Sequence, residues 1–176
     1  MGKGMSEPWS VIVRLGELAR GPRTLDLQPD DAQRAQIARE IGLISLPALQ
    51  ARVEVRPWLD GAELRGRIHA RVEQVCGVTL DPFEQPLEAE FEVRAAPAGS
   101  PHAPVEGDEI VLDLEGPDPP DVLEDDAVDV AAYVIEHLAL ELDPFPRKPG
   151  ARFDYEIEQP DDSPFGVLKR LSDPKG

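Results

Sequence analysis

Three stretches in which apolar and charged residues alternate one by one constrain the fold more than any other feature of this sequence. They cover residues 51–56, 64–72 and 87–94, and their apolar positions are Ala51, Val53, Val55, Leu64, Ile68, Ala70, Val72, Leu87, Ala89, Phe91 and Val93. Alternation with a period of two is typical of β-strands that bury one face and expose the other. The chain should therefore contain an antiparallel sheet with one solvated face.

Turn residues suggest how these strands connect. Asp60-Gly61 lies between the first two stretches, and this dipeptide favours a tight hairpin turn. Gly66 interrupts the second stretch, where a glycine can mark a β-bulge that shifts the pairing register. A further strand is predicted over residues 9–15 and a short one over residues 24–27.

Two main helices are predicted, over residues 29–41 and about 129–142. Pro29 suits a first helical position, and Gly42 is a natural stop for the first helix. Asp129 can cap the N-terminus of the second helix, and Pro144 ends it. The expected fold class is α+β: a curved antiparallel β-sheet or a small, partly open β-barrel with these two helices.

The segment 95–128 predicts a mobile acidic loop. Six prolines lie between Pro97 and Pro120 among many acids, and such a composition buries too little to offset its ordering entropy. Within it, only residues 109–114 favour a strand. We expect one domain over residues 1–153, followed by a tail over 154–176 with a short helix at about 164–171.

The formal net charge is −17, and it is placed unevenly. Residues 1–80 carry 11 basic and 10 acidic side chains, whereas residues 81–176 carry 7 basic and 25 acidic ones. An acidic protein repels phosphate at long range, so any RNA contact must be local or pass through a basic protein partner.

Cys76 is the only cysteine, which excludes an internal disulfide and fits a cytoplasmic protein. We expect no signal peptide and no contact with a membrane, because the chain has no long apolar run. No nucleophile elbow, P-loop or zinc-protease motif is present, and His69, His102 and His137 lack ligand-like spacing. We therefore expect no enzyme, no metal and no cofactor, with Cys76 as a small buried apolar residue.

A row of arginines is the candidate RNA-binding site. If the strands pair as a hairpin, five of them emerge on the solvated face: Arg52, Arg56, Arg65, Arg67 and Arg71. Guanidinium groups bind phosphate oxygens in a bidentate manner, and the lack of stacking aromatics on this face favours backbone contact over base contact. The alternative is that Glu88, Glu90 and Glu92 lie beside the arginines and neutralise them.

Two further groups are candidate partner-binding residues. Arg147 and Lys148 follow the second helix, although a favourable interaction with the helix dipole would also explain their position. In the tail, Phe165, Leu168 and Leu171 would share one face of the short helix.

Two blocks of the sequence together resemble the YceD family, in the form found in alphaproteobacteria. The first block contains Cys76, Thr79, Leu80 and Pro82. The second contains Val128, Asp129, Val130, Glu136, Leu138, Leu140, Leu142, Pro144, Pro146, Arg147, Pro149 and Gly150. The stretches WSVIVRL and SPFGVLKRL near the ends also resemble this family.

The resemblance implies a non-enzymatic factor that supports accumulation of 23S ribosomal RNA and assembly of the large ribosomal subunit. Such a factor would contact the rRNA backbone or an assembling ribosomal protein. The alternative is an acidic adaptor for a basic large-subunit ribosomal protein, without direct RNA contact. Some relatives carry a second cysteine where this chain has Thr79, so a paired-thiol role is not expected here.

Overall fold

The computed structural model describes residues 9–104 and 118–153 of the 176-residue chain. This part of the chain forms seven strands, two α-helices and one 3-10 helix. In chain order they are β1 (Ile12–Arg14), the 3-10 helix (Leu15–Arg20), β2 (Arg23–Leu27), α1 (Asp31–Glu40), β3 (Ser45–Trp58), β4 (Gly61–Val75), β5 (Pro82–Pro97), β6 (Asp121–Leu123), β7 (Ala127–Asp129) and α2 (Val130–Leu140).

Five of the strands form the main sheet, in the order β2-β3-β4-β5-β6. Neighbouring strands are antiparallel except β5 and β6, which pair in parallel. The sheet has two free edges, at β2 and β6, so it is open and does not close into a barrel. The predicted α+β class with a curved sheet is confirmed.

The apolar face of the sheet and the two helices enclose the core. This inner face carries the alternating residues predicted to be buried, and all of them are buried except Val93, which is partly buried. The core residues include Val53, Val55, Leu64, Ile68, Val72, Phe91, Ile37, Val134 and Leu138. On α2, the ring of His137 stacks on Phe91 with 4.4 Å between ring centroids, so this histidine is part of the packing.

Gly66 lies on the inner face without a bulge, which makes the predicted register shift wrong at this position. Gly66 pairs with Val53 on one side and Phe91 on the other, and the register continues on both sides. A β-carbon at Gly66 would overlap the ring of Phe91. The glycine therefore makes room for an aromatic ring, and the irregularity between β3 and β4 lies instead between Ser45 and Ala48.

The predicted hairpin between β3 and β4 is confirmed, but its turn is placed one residue earlier than Asp60-Gly61. Trp58 pairs with Gly61, so Leu59 and Asp60 form the two-residue loop. Leu59 takes a φ of 52°, a left-handed conformation that most residues avoid. Gly61 is already in the strand, where a side chain would overlap the carbonyl oxygen of Ala95.

Both helices have side-chain caps at their N-termini. Asp30 caps α1 and forms a capping box with Gln33, so Pro29 lies outside the helix rather than at its first position. Gly42 follows the helix with a φ of 75°, as predicted. Asp129 caps α2, which ends at Leu140, two residues before the predicted end.

The predicted acidic loop begins and ends in strands. β5 extends to Pro97, β6 pairs with it, and β7 pairs with β1 to form a separate two-stranded sheet. Small sets of buried residues explain these pairings, since Ala95, Leu123 and Val128 all lie in the core. The predicted strand at 109–114 and the predicted helix at 164–171 lie outside the described residues.

Candidate functional site

The structure brings the five candidate arginines onto the outer face of the main sheet. Arg52 and Arg67 are opposite each other on β3 and β4, and Arg65 and Arg71 follow the same alternation along β4. The charged positions of β5 lie directly beside those of β4: Glu92 opposite Arg65, Glu90 opposite Arg67 and Glu88 opposite His69. The arginine row of β4 and the glutamate row of β5 therefore lie on neighbouring strands. The sequence alone had left this adjacency open.

Each of the five arginines forms an ion pair with a carboxylate of the same face. The pairs are Arg52–Asp26 at 3.6 Å, Arg56–Glu54 at 2.8 Å, Arg65–Glu92 at 3.2 Å, Arg67–Glu90 at 2.9 Å and Arg71–Glu84 at 3.0 Å. Glu88 lies 3.5 Å from the ring of His69 rather than beside an arginine. The structure therefore shows the second of the two alternatives: carboxylates on the same face of the sheet neutralise the arginine row.

These pairs matter for the charge of the surface more than for stability. Arg67 and Glu90 both have 73% of their side-chain surface exposed, and such a pair contributes about 0–1 kcal/mol. Among outer-face positions of β2 to β5, six arginines stand against eight carboxylates. The arginines are Arg52, Arg56, Arg65, Arg67, Arg71 and Arg94, and the carboxylates are Asp26, Glu54, Glu63, Glu73, Glu84, Glu88, Glu90 and Glu92.

A shallow trough of about 600 Å³ crosses this face. Its walls carry both charges, from Arg52, Glu54, Arg65, Arg67, Glu90 and Glu92. A phosphate group that entered the trough would meet three carboxylates as well as three guanidinium groups. The trough is therefore not a preformed anion site.

Glu63 is the centre of this charge network, and the sequence analysis missed it. Its carboxylate is buried, and it lies 3.4 Å from Arg65 and 3.3 Å from Arg94. Arg94 also lies over the ring of Trp58, 5.5 Å from its centroid. Glu63 occupies a charged position of the β4 alternation, so a strict reading of the period would have placed it here.

The hydrogen bond between Arg56 and Glu54 fixes the charge of both groups. This bond lowers the pKa of Glu54 and raises the pKa of Arg56. Both shifts favour the ionised forms, so the two side chains keep opposite charges near neutral pH.

Cys76 lies at the turn between β4 and β5, where the two sequence blocks meet. Its sulfur accepts hydrogen bonds from the backbone N–H groups of Val78, Thr79 and Lys148, each at 3.4 Å. The side chain of Thr79, followed by these backbone groups, lowers the pKa of Cys76 to about 6. Cys76 is fully buried as predicted, but its sulfur accepts three backbone hydrogen bonds, so it is not merely an apolar residue.

The three histidines are engaged away from Cys76. His69 faces Glu88, His102 lies edge-on to Trp58, and His137 stacks on Phe91. In residues 9–104 and 118–153, no group of three or more His, Cys, Asp or Glu side chains is placed to hold a metal ion. No helix in this part of the chain has the length and apolar character needed to cross a membrane.

Arg147 and Lys148 lie in the exposed loop that follows α2. This loop is anchored to the Cys76 turn, because Gly77 donates a backbone hydrogen bond of 2.8 Å to Pro146. Lys148 Nζ lies 3.8 Å from Asp81, so its charge faces that turn rather than the end of α2. The tail candidates Phe165, Leu168 and Leu171 lie outside the described residues.

Comparison with known proteins gives one match. A family model described as "Large ribosomal RNA subunit accumulation protein YceD" matches residues 64–171, which is more than half of the chain. No curated protein and no solved structure matches it significantly.

Proposed function

Because the chain belongs to the YceD family of large ribosomal RNA subunit accumulation proteins, we propose that it acts as an acidic, non-enzymatic adaptor. The adaptor holds a basic protein of the large ribosomal subunit and thereby supports accumulation of 23S ribosomal RNA. The family description supports the role in rRNA accumulation, and the surface chemistry supports the adaptor mechanism.

The observation that carries this proposal is the pairing of every candidate arginine with a carboxylate on the outer face. Pairing removes the local positive field that an acidic protein needs in order to attract RNA. The unmatched charges that remain on the face are carboxylates. Such a surface favours fast, salt-sensitive association with a cationic protein.

Direct contact between the outer face and the rRNA backbone is the second candidate. Five guanidinium groups on one sheet face support it, because exposed ion pairs are weak and a phosphate can replace a carboxylate as the partner. Each such exchange would leave a glutamate beside the bound phosphate, and the charge repulsion counts against this mechanism.

The test measures capture of purified basic large-subunit ribosomal proteins, one at a time, by the full chain. The variant E88Q/E90Q/E92Q removes three negative charges from the outer face without removing an arginine. We expect it to lose about fivefold or more in affinity for the captured protein, since each exposed charge in a complementary field contributes a few tenths of a kcal/mol or more.

A matched control removes the same charge elsewhere. The variant E124Q/D125N/D126N changes three exposed carboxylates between β6 and β7. We expect it to keep most of the affinity. An equal loss of affinity in both variants would mean that net charge, and not the outer face, determines binding. No loss in E88Q/E90Q/E92Q would refute the adaptor surface.

A further inference from the structure

The turn between β4 and β5 contacts the loop after α2. These two segments carry four exposed side chains, Leu80, Phe145, Arg147 and Arg152, and we call them together the hairpin-end surface. Leu80 is 75% exposed and Phe145 is 76% exposed. Single exposed apolar side chains are common on protein surfaces, but here two of them lie on segments that contact each other and can form a small apolar binding patch.

The two segments that carry these residues are held to each other by the backbone. Gly77 donates to the carbonyl oxygen of Pro146 at 2.8 Å, and Lys148 donates to the sulfur of Cys76 at 3.4 Å. Asp143 also accepts a hydrogen bond from the backbone of Phe145 at 2.8 Å. The backbone hydrogen bonds therefore fix the loop that carries Phe145, while the side chain of Phe145 lies outside the core.

The backbone of Leu80 adopts an unfavourable conformation. Its φ is 60°, in the left-handed region that costs a residue other than glycine about 1–2 kcal/mol. Glycine or asparagine would be more favourable at this position of the turn. An exposed leucine in a strained conformation contributes little to folding, so its side chain is available for binding.

The charge of this surface differs from that of the outer face. Arg147 and Arg152 are exposed, and no carboxylate among the described residues lies within 4.0 Å of either guanidinium. The five sheet arginines, by contrast, are all paired. In a chain of net charge −17, this end therefore offers two guanidinium groups that have no carboxylate partner among residues 9–104 and 118–153 and can contact phosphate.

We propose that the hairpin-end surface binds single-stranded RNA. Phe145 stacks on an unpaired base, Leu80 covers apolar surface of the nucleotide, and Arg147 and Arg152 contact phosphate oxygens. An aromatic side chain can stack only on a base that is free of its helix, so single strands and loops are favoured over duplex RNA. This site goes beyond the proposed adaptor role and uses different residues.

The test is the affinity of the full chain for a fluorescent 12-nucleotide oligouridine, measured by anisotropy at several salt concentrations. We expect F145A to weaken binding about tenfold and L80G about fivefold. We expect R147Q to reduce the slope of log affinity against log salt by about 0.7. A 12-base-pair RNA duplex should bind more weakly than the single strand.

The matched control is R20Q, because Arg20 is an exposed arginine at the end of the 3-10 helix. It should bind oligouridine as the wild type does. Absence of wild-type binding, wild-type affinity in the F145A, L80G and R147Q variants, or an equal loss in R20Q would overturn the RNA site. Capture of the basic ribosomal protein by F145A and R147Q reports separately on the adaptor role.

Discussion

The backbone N–H of Lys148 donates a hydrogen bond to the sulfur of Cys76 across 3.4 Å of space and 72 residues of sequence. This bond joins the hairpin turn after β4 to the loop after α2. Those two segments also carry part of each sequence block that resembles the YceD family, so these parts of the two blocks meet at one place in the fold. Cys76 organises this junction through its sulfur, without a second thiol.

The lowered pKa of Cys76 predicts a pH dependence of stability. The folded-state pKa is about 6, below the ordinary value of 9.0. The unfolded state therefore binds more protons between these values, and the stabilisation is fully present above about pH 9 and is lost as the pH falls through 6. Urea midpoints at pH 6, 7.5 and 9 should rise with pH in the wild type more than in C76A. Parallel pH profiles would contradict the lowered pKa of Cys76.

Substitution of Gly66 tests whether the glycine serves to admit the ring of Phe91. G66A should destabilise the protein by about 1–3 kcal/mol, because a β-carbon there overlaps the ring. G66A/F91L should recover part of this loss. G16A is the control, since a β-carbon at Gly16 meets no atom within 4 Å. Equal urea midpoints for G66A and the wild type would show that the ring can move aside.

A double-mutant cycle tests the strength of the ion pairs on the outer face. The side chains of Arg67 and Glu90 are both exposed to solvent. We therefore expect a coupling free energy below about 1 kcal/mol from R67A, E90A and the double variant. The measurement is urea unfolding at low and high salt. A coupling above this range that salt does not weaken would mean that the pairs act as structural elements.

Asp129 should contribute more to stability than an ordinary helix cap. Its carboxylate accepts hydrogen bonds from Ala131 in α2, from Val11 and from Ser10, so it joins the helix to the N-terminal segment. D129A should therefore cost more than the roughly 1 kcal/mol expected of D30A, which removes a simpler cap on α1. Thermal unfolding of both variants decides this, and equal losses would show that the N-terminal bonds contribute little.

Local patterns predicted most of the strands and helices, because period and capping residues act over a few positions. The alternation of Leu64, Ile68 and Val72 correctly identified the buried face of β4, and Asp129 correctly marked the start of α2. The partner of each strand is a property of the whole fold. The contacts Arg65–Glu92 and Arg67–Glu90 therefore remained one of two alternatives until the register was known.

The errors have the same origin. Gly66 has the sequence signature of a bulge, but the ring that requires it comes from Phe91, on another strand. The short strands β6 and β7 lie in an acidic, proline-rich context, and only their pairing with β5 and β1 makes them strands. The hydrogen bonds to Cys76 join residues too far apart in sequence for any motif to reveal.

The most direct test of the account is the affinity of the variant R65Q/R67Q for single-stranded oligouridine, compared with the wild type. These two arginines face Glu92 and Glu90, and in the proposed mechanism they make no contact with RNA. We expect an affinity within about twofold of the wild type and an unchanged salt slope. A loss of about tenfold or more, with a slope reduced by more than one, would place RNA on the sheet and contradict the account.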